Sequence, residues 1–173
     1  QDQWCSEFKA DVEAFLKESV KWDTLQTIDD IIQAGTTSEF AERRLKSYAN
    51  SSGRRGTSET KCLDAYHDTR RIAFRTAIRK VMDSLELDAI VYPTWNNRPA
   101  RIDLFEEEYM GDNNQVISPH TGQPAFTVPM GFLSDNLPAG IQFLGRMYDE
   151  ATLVKLAYSY EQGTLHRKVP IMD

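Results

Sequence analysis

Two apolar runs followed by a helical pattern are the clearest features of the chain. The runs, Ala125 to Phe132 and Ala139 to Leu144, are separated by polar and proline residues that favour a tight turn. Apolar residues then recur at the spacing of one helix face: Leu153, Leu156, Ala157 and Tyr160. We predict strands at Ala125 to Val128 and Gly140 to Leu144 beneath a helix at Asp149 to Gln162, with Asp149 capping its first turn.

The remaining pattern is mostly helical, with one further strand. Apolar positions at helical spacing predict four helices: Ser6 to Lys17, Thr24 to Ala34, Phe40 to Tyr48 and Leu63 to Leu85. The run Leu87 to Thr94 predicts a strand at Ala89 to Tyr92, of the kind buried on both faces in a parallel or mixed sheet. Helices alternating with strands favour an α/β class with α/β/α layers.

The length and composition are those of a single globular portion. The chain has 173 residues, of which 40% are hydrophobic and 27% charged, so one core can form. We divide it into a helical part, 1–62, with a flexible polar loop near 49–60, and a part at 63–173 that holds the sheet and the last helix. A net charge of −6 without a long basic run argues against nucleic acid as a partner. No apolar run approaches the roughly 20 residues that a spanning helix needs.

The two cysteines and one tripeptide bear on the cellular compartment. Cys5 and Cys62 form one disulfide if their Cα atoms come within about 7 Å, and otherwise they are two buried thiols. Asn50 begins an Asn-Ser-Ser sequon in an exposed-looking stretch, which makes it a glycosylation candidate. Together these features favour a secreted or lumenal protein over a cytoplasmic one.

Three segments occur in the order and spacing of a known family. They are GQPAFTVPMGF, LPAGIQFLGR and DEATLVKLAYSYEQ, preceded by LDAIVYPT and, near the start, by EFKADVEAFL and TLQTIDDII. As a set they resemble the C-terminal part of the amidase signature family of serine hydrolases. The resemblance implies an α/β/α sandwich with a mixed sheet, and hydrolysis of a carboxylic amide through an acyl-serine intermediate. It also implies a small-molecule or peptide amide as substrate, with no cofactor.

The family's catalytic residues are not found in this sequence. A Ser-Ser-Lys triad in a Gly- and Ser-rich motif is expected upstream, and Ser51-Ser52-Gly53 does not match it because the flanking glycines are absent. The resemblance therefore implies that an N-terminal amidase chain supplies the triad and that this chain has no catalytic residue of its own. The alternative is a non-catalytic amidase homologue that serves binding, storage or interaction.

The residues that the resemblance assigns to substrate binding are Asp112, Tyr92, Thr94 and Trp95. Asp112 matches the position where amidotransferase members hold the ammonium group of the substrate, and the other three resemble strand-end residues of the acyl pocket. Ordinary loop packing is the alternative for all four. His67, His120 and His166 lack metal-ligand spacing, and the acidic stretch from Asp103 to Glu108 lacks the pattern of a calcium loop, so we predict no metal site.

Overall fold

The computed structural model describes residues 7–35, 38–50, 63–111, 117–134 and 136–169. Its contacts divide the chain into two compact units, Gln1–Leu63 and Asp64–Asp173. No helix in the described ranges is both long and apolar enough to cross a membrane.

The first unit is helical. Helix α1 (Phe8–Phe15) runs into a π-helical turn (Leu16–Val20), and α2 (Ile28–Ala34) and α3 (Glu39–Ala49) follow. The sequence pattern places the start of α2 too early, at Thr24, because a capping box sets it at Ile28. The Thr27 hydroxyl accepts a hydrogen bond from the Asp30 amide, and the Asp30 carboxylate accepts one from the Thr27 amide at 2.8 Å.

The second unit begins with a turn and a long helix, α4 (Thr69–Ser84). The prediction extends this helix back to Leu63, but Asp64 and Asp68 prevent that. The Asp64 carboxylate accepts from the Tyr66 and His67 amides and forms a turn. The Asp68 carboxylate accepts from the Arg70 amide at 2.8 Å and caps the helix.

Three strands form one sheet in the order β1, β3, β2. They are β1 (Ile90–Pro93), β2 (Ala125–Phe132) and β3 (Pro138–Leu144), and both outer strands pair antiparallel with β3. The predicted hairpin and α/β class are confirmed. The described strands pair only antiparallel, whereas the resemblance implied a mixed sheet. A bulge between Pro129 and Gly131, where Gly131 has φ of 133°, shifts the register near the hairpin turn.

Helix α7 (Glu150–Thr164) covers one face of this sheet. Its Leu153 and Ala157 pack against Val128 and Phe143, and the Phe143 and Tyr160 rings meet edge to face at 5.8 Å. The prediction for Asp149 was only half right. It occupies the cap position, but its carboxylate accepts from the Thr152 hydroxyl at 2.6 Å rather than from a backbone amide.

The long connection between β1 and β2 contains two short helices that the sequence pattern did not predict. These are α5 (Phe105–Glu108) and α6 (Ser118–Thr121). The prediction that β1 is buried on both faces is wrong for the described chain, because Val91 is 51% exposed. Strand β1 is an edge strand there, and the core against α7 is centred on β2 and β3.

Candidate functional site

Tyr92 and Thr94 leave the end of β1 on the sheet face opposite the α7 core. Tyr92 lies directly across from Gln142 of β3, and Thr127 of β2 faces the same glutamine from the other side. The Tyr92 hydroxyl is buried and has no hydrogen-bond partner among the described residues. Burial raises the pKa of this hydroxyl, so it stays protonated and able to donate.

Thr94 and Thr127 meet above the central strand. Their hydroxyl oxygens are 3.2 Å apart, and the Thr94 amide donates to the Gly140 carbonyl at 2.9 Å. A Cβ at Gly140 would lie 2.8 Å from Thr127 Cγ2 and 3.1 Å from Thr94 Oγ1. The glycine therefore lets the two side chains come together. Sequence reasoning missed Thr127 and Gly140, although both stand inside the motifs that carry the resemblance.

A cavity of about 540 Å³ opens between the segment after β1 and the β2–β3 hairpin. Trp95, which is 49% exposed, forms part of its wall with Met130, Leu133 and Ala139. Polar groups on the same cavity come from consecutive residues, Asn96, Asn97 and Arg98. Of the described residues predicted for the acyl pocket, Trp95 therefore lines a cavity, while Tyr92 and Thr94 lie on the sheet face opposite α7 and are not part of its lining.

The connection that enters β2 is held by polar contacts that are partly or fully buried. Arg75 Nη1 donates to the carbonyls of Ala65 and Thr121, at 2.8 and 2.6 Å. The buried Gln123 side chain donates to the Gly145 carbonyl at 2.7 Å. These bonds fix the backbone that follows residues 112–116.

Several predicted residues fall outside the described ranges. These are Asp112, Cys5 and Cys62, so their roles stay predictions. Asn50 is described and exposed, and its side-chain amide donates to the Lys46 carbonyl at 2.9 Å. Glycosylation at Asn50 also stays a prediction, and it would require this bond to open.

His67 and His120 differ in their surroundings. His67 lies on the surface, 2.7 Å from Asp64, and hydrogen bonds, chiefly from His67, lower the pKa of that carboxyl. Burial, with the positive charge of Arg71, lowers the pKa of His120 and favours its neutral form. In the part of the chain that the structure describes, no three His, Cys, Asp or Glu side chains come together as metal ligands.

Comparison with known proteins places this geometry in a family. Residues 2–154 match the family model described as Amidase. The chain is 29% identical over 176 residues to a glutamyl-tRNA(Gln) amidotransferase subunit of Oceanobacillus iheyensis, covering 94% of the chain and 34% of that protein. It is 29% identical over 173 residues to a probable amidase of Arabidopsis thaliana, covering 95% of the chain and 29% of that protein.

Solved structures are similar to this chain over nearly its whole length. The native peptide amidase from Stenotrophomonas maltophilia aligns with a TM-score of 0.60 and 27% identity, over 97% of this chain and 34% of its own. The structure called PAM12A aligns with a TM-score of 0.66 and 28% identity over the same shares. The chain thus spans about a third of the length of these relatives.

Proposed function

The chain belongs to the amidase family, and on that premise we propose that it forms the C-terminal, substrate-pocket part of an amidase. In this proposal the enzyme hydrolyses a carboxylic amide through an acyl-serine intermediate. An N-terminal amidase chain supplies the Ser-Ser-Lys triad, and residues 1–173 supply one wall of the pocket. The observation that carries the proposal is the family match over residues 2–154, in a chain that spans about a third of its relatives.

The roles proposed for the two chains follow from the chemistry of amide hydrolysis. Acyl transfer needs a nucleophile and a proton-transfer group within hydrogen-bond reach of each other, and each of these contributes orders of magnitude in rate. The sequence offers no Ser-Ser-Lys core motif for that role. A pocket wall contributes binding and orientation, which accelerate the reaction only when the reacting groups are also present.

An apolar row on the α7 side of the sheet supports association with a further amidase part. Val91, Phe143 and Phe126 lie side by side across the three strands. Phe143 is buried, but Val91 and Phe126 at the two ends remain 51% and 42% exposed. Apolar side chains that extend from a core to open strand edges are typical of surfaces that another segment covers.

The second candidate is a non-catalytic amidase homologue that serves binding, storage or interaction. Within residues 1–173, Ser51-Ser52-Gly53 stands among charged residues and lacks the flanking glycines of the core motif. The two candidates differ in what they predict for the native species.

The experiment measures the mass of the native protein that contains this chain, reduced and unreduced, beside the 19.8 kDa of the chain itself. A panel of primary amides and anilides is then offered to the native species and to residues 1–173 alone, with a fluorophosphonate probe. We expect turnover and serine labelling in the native species, on a residue outside this chain, and neither in the chain alone. A native species that is this chain only and is inactive would favour the second candidate. Stoichiometric labelling of a serine in this chain, with turnover, would contradict the proposal.

A further inference from the structure

Helix α6 is too short to hold its own position. It runs over four residues, Ser118–Thr121, and isolated helices shorter than about 12 residues are marginal in water. The groups that bind α6 from outside therefore decide where it lies. The part of the chain that carries Asp112 leads into α6 five residues later, so the place of α6 sets where that part ends.

Arg75 binds α6 from the long helix α4. Its Nη1 donates to the carbonyl of Thr121 at 2.6 Å and to the carbonyl of Ala65 at 2.8 Å. Thr121 and Ala65 are both buried. Hydrogen bonds from a charged donor are roughly twice as strong as those between neutral groups. One guanidinium nitrogen thus joins the last residue of α6 to the turn that precedes α4.

The two segments that this guanidinium joins are in close contact. A Cβ at Gly122 would lie 3.2 Å from the Cβ of Ala65, and Gly122 has a φ of 73°, which favours glycine. The Thr121 hydroxyl donates to the Ile117 carbonyl at 2.9 Å, and the Gly122 amide donates to the Ser118 carbonyl at 2.9 Å. Because these bonds link both ends of α6, a shift of its last carbonyl moves the whole short helix.

We propose that Arg75 is a positioning residue for substrate recognition. By holding α6, it fixes the end of the segment from which Asp112 reaches the substrate. A misplacement of about 1 Å can cost about a hundredfold in rate, so an anchor away from the substrate can control its recognition. The inference rests on the proposed amidase function and on the substrate role that the family resemblance gives to Asp112. It adds a residue of α4 that acts through the backbone without touching the substrate.

The test compares substrates in the native species that contains this chain. It measures kcat/KM for 3-aminopropanamide and butanamide, which differ in an ammonium group in place of a methyl group. We expect Asp112→Ala to lower the preference for the ammonium-bearing amide, and Arg75→Met to lower it about tenfold or more. In the Asp112→Ala background, Arg75→Met should change the preference no further, because both substitutions then act on one contact.

A second arginine provides the matched control. Arg146 Nη1 donates to the Leu87 carbonyl at 2.8 Å, and its Nη2 donates to the Asp83 carboxylate at 3.0 Å; neither acceptor belongs to α6. Arg146→Met is therefore expected to lower stability and leave the ratio of kcat/KM values unchanged. Arg75→Lys keeps the charge and the donors on a shorter side chain and is expected to restore part of the preference. It also carries the test if Arg75→Met does not fold.

Hydrogen exchange on residues 1–173 measures the anchoring without turnover. The Thr121 amide donates to the Ile117 carbonyl at 2.9 Å inside α6, and the Leu153 amide donates to the Asp149 carbonyl at 3.3 Å in the first turn of α7. We expect Arg75→Met to speed exchange of the Thr121 amide about tenfold more than that of the Leu153 amide, since α6 then opens locally. Arg146→Met should not produce this difference.

The outcomes separate this inference from the proposed function. In an active native species, the inference alone is overturned if Arg75→Met leaves the preference unchanged or if Arg146→Met changes it equally. The same holds if Asp112→Ala has no effect on the preference, or if Arg75→Met acts as strongly without Asp112 as with it. Exchange at Thr121 that rises no more than at Leu153 also overturns it. An inactive native species contradicts the proposed function, and the role of Arg75 in recognition falls with it.

Discussion

Replacing Gly140 by alanine tests whether the contact between Thr94 and Thr127 at the predicted pocket requires a residue without a Cβ at this position. Gly140 lies in the central strand, and its φ is not positive, so the backbone itself accepts alanine. The obstacle is steric, because the new Cβ would be 2.8 Å from Thr127 Cγ2 and 3.1 Å from Thr94 Oγ1. Rotating Thr127 away would break its hydroxyl contact with Thr94.

Two opposing effects set the expected change in the free energy of unfolding. Overpacking of this kind costs about 1–3 kcal/mol. Alanine also reduces the conformational freedom of the unfolded chain relative to glycine, which stabilises by about 0.4–1 kcal/mol. We therefore expect Gly140→Ala to lower the free energy of unfolding by about 1–2 kcal/mol.

A second substitution at the contacting residue isolates the cause. Thr127→Ser removes the methyl group that lies 2.8 Å from the new Cβ and keeps the hydroxyl that faces Thr94. In the Gly140→Ala background it should restore most of the loss, so that the two changes couple by about 1 kcal/mol or more. Gly163→Ala is the matched control. A Cβ there meets nothing within 4 Å in helix α7, so we expect a small gain in stability.

Urea unfolding of residues 1–173, followed by far-ultraviolet circular dichroism, measures all four variants and the parent. The steric reasoning is refuted if Gly140→Ala is as stable as the parent, or if the losses from Gly140→Ala and Thr127→Ser simply add. An equal loss in Gly163→Ala would show that the effect belongs to any Gly-to-Ala change and not to this contact.

Three further predictions concern single groups. The hydrogen bond from Arg70 holds the pKa of Asp68 at about 2, below its ordinary value, so this carboxylate stabilises the fold above about pH 4 and loses its effect as the pH falls towards 2. Because the Arg70 side chain is 59% exposed, we expect Asp68→Asn to lower the free energy of unfolding by only about 1–2 kcal/mol at pH 7 and by nothing near pH 2. Urea unfolding across that pH range measures the difference, and a loss that does not change with pH would contradict the role assigned to this carboxylate. We propose that the protein has passed through an oxidising compartment, so Cys5 and Cys62 should be bonded to each other or to the partner chain; mass spectrometry that finds both thiols free in the native protein would count against the bond and the compartment. Asp112→Ala in the active complex should change which amides are accepted, seen as altered ratios of kcat/KM across a substrate panel; a uniform loss for every amide would argue against a role in recognition.

Elements defined by local patterns were predictable from the sequence. The β2–β3 hairpin and α7 follow from two apolar runs and one helical stripe, each readable within a short window. Helix starts were less predictable, because Thr27 and Asp68 set them through side-chain bonds whose geometry the pattern does not reveal.

The candidate site depends on long-range geometry, which the sequence pattern does not contain. Thr94 and Thr127 are 33 positions apart, and they meet only in one strand register. A slip of one residue would turn Thr127 to the opposite face of the sheet. The burial of β1 was mispredicted for a related reason: an apolar run indicates that a strand can be buried, but its neighbours decide whether it is.

The two faces of the sheet suggest how the pocket wall works in the proposed enzyme. One face is apolar and packs against α7, which holds the strands in register. The opposite face carries Tyr92, Gln142 and Thr127 in one row, with Thr94 beside them.

A buried hydroxyl without a partner costs about 1–3 kcal/mol, so a group that accepts a hydrogen bond from Tyr92 recovers that cost when it binds. A tyrosine hydroxyl is ordinarily protonated at neutral pH, and burial raises the pKa of Tyr92 further, so the proton needed for this bond is present. An acceptor on the triad-bearing chain or on the amide would therefore be bound more tightly at this row than at an already satisfied surface, and Tyr92→Phe distinguishes the two acceptors. Weaker assembly with unchanged KM identifies an acceptor on the chain, and raised KM with unchanged assembly identifies one on the substrate. If neither changes, the row takes no part in the pocket.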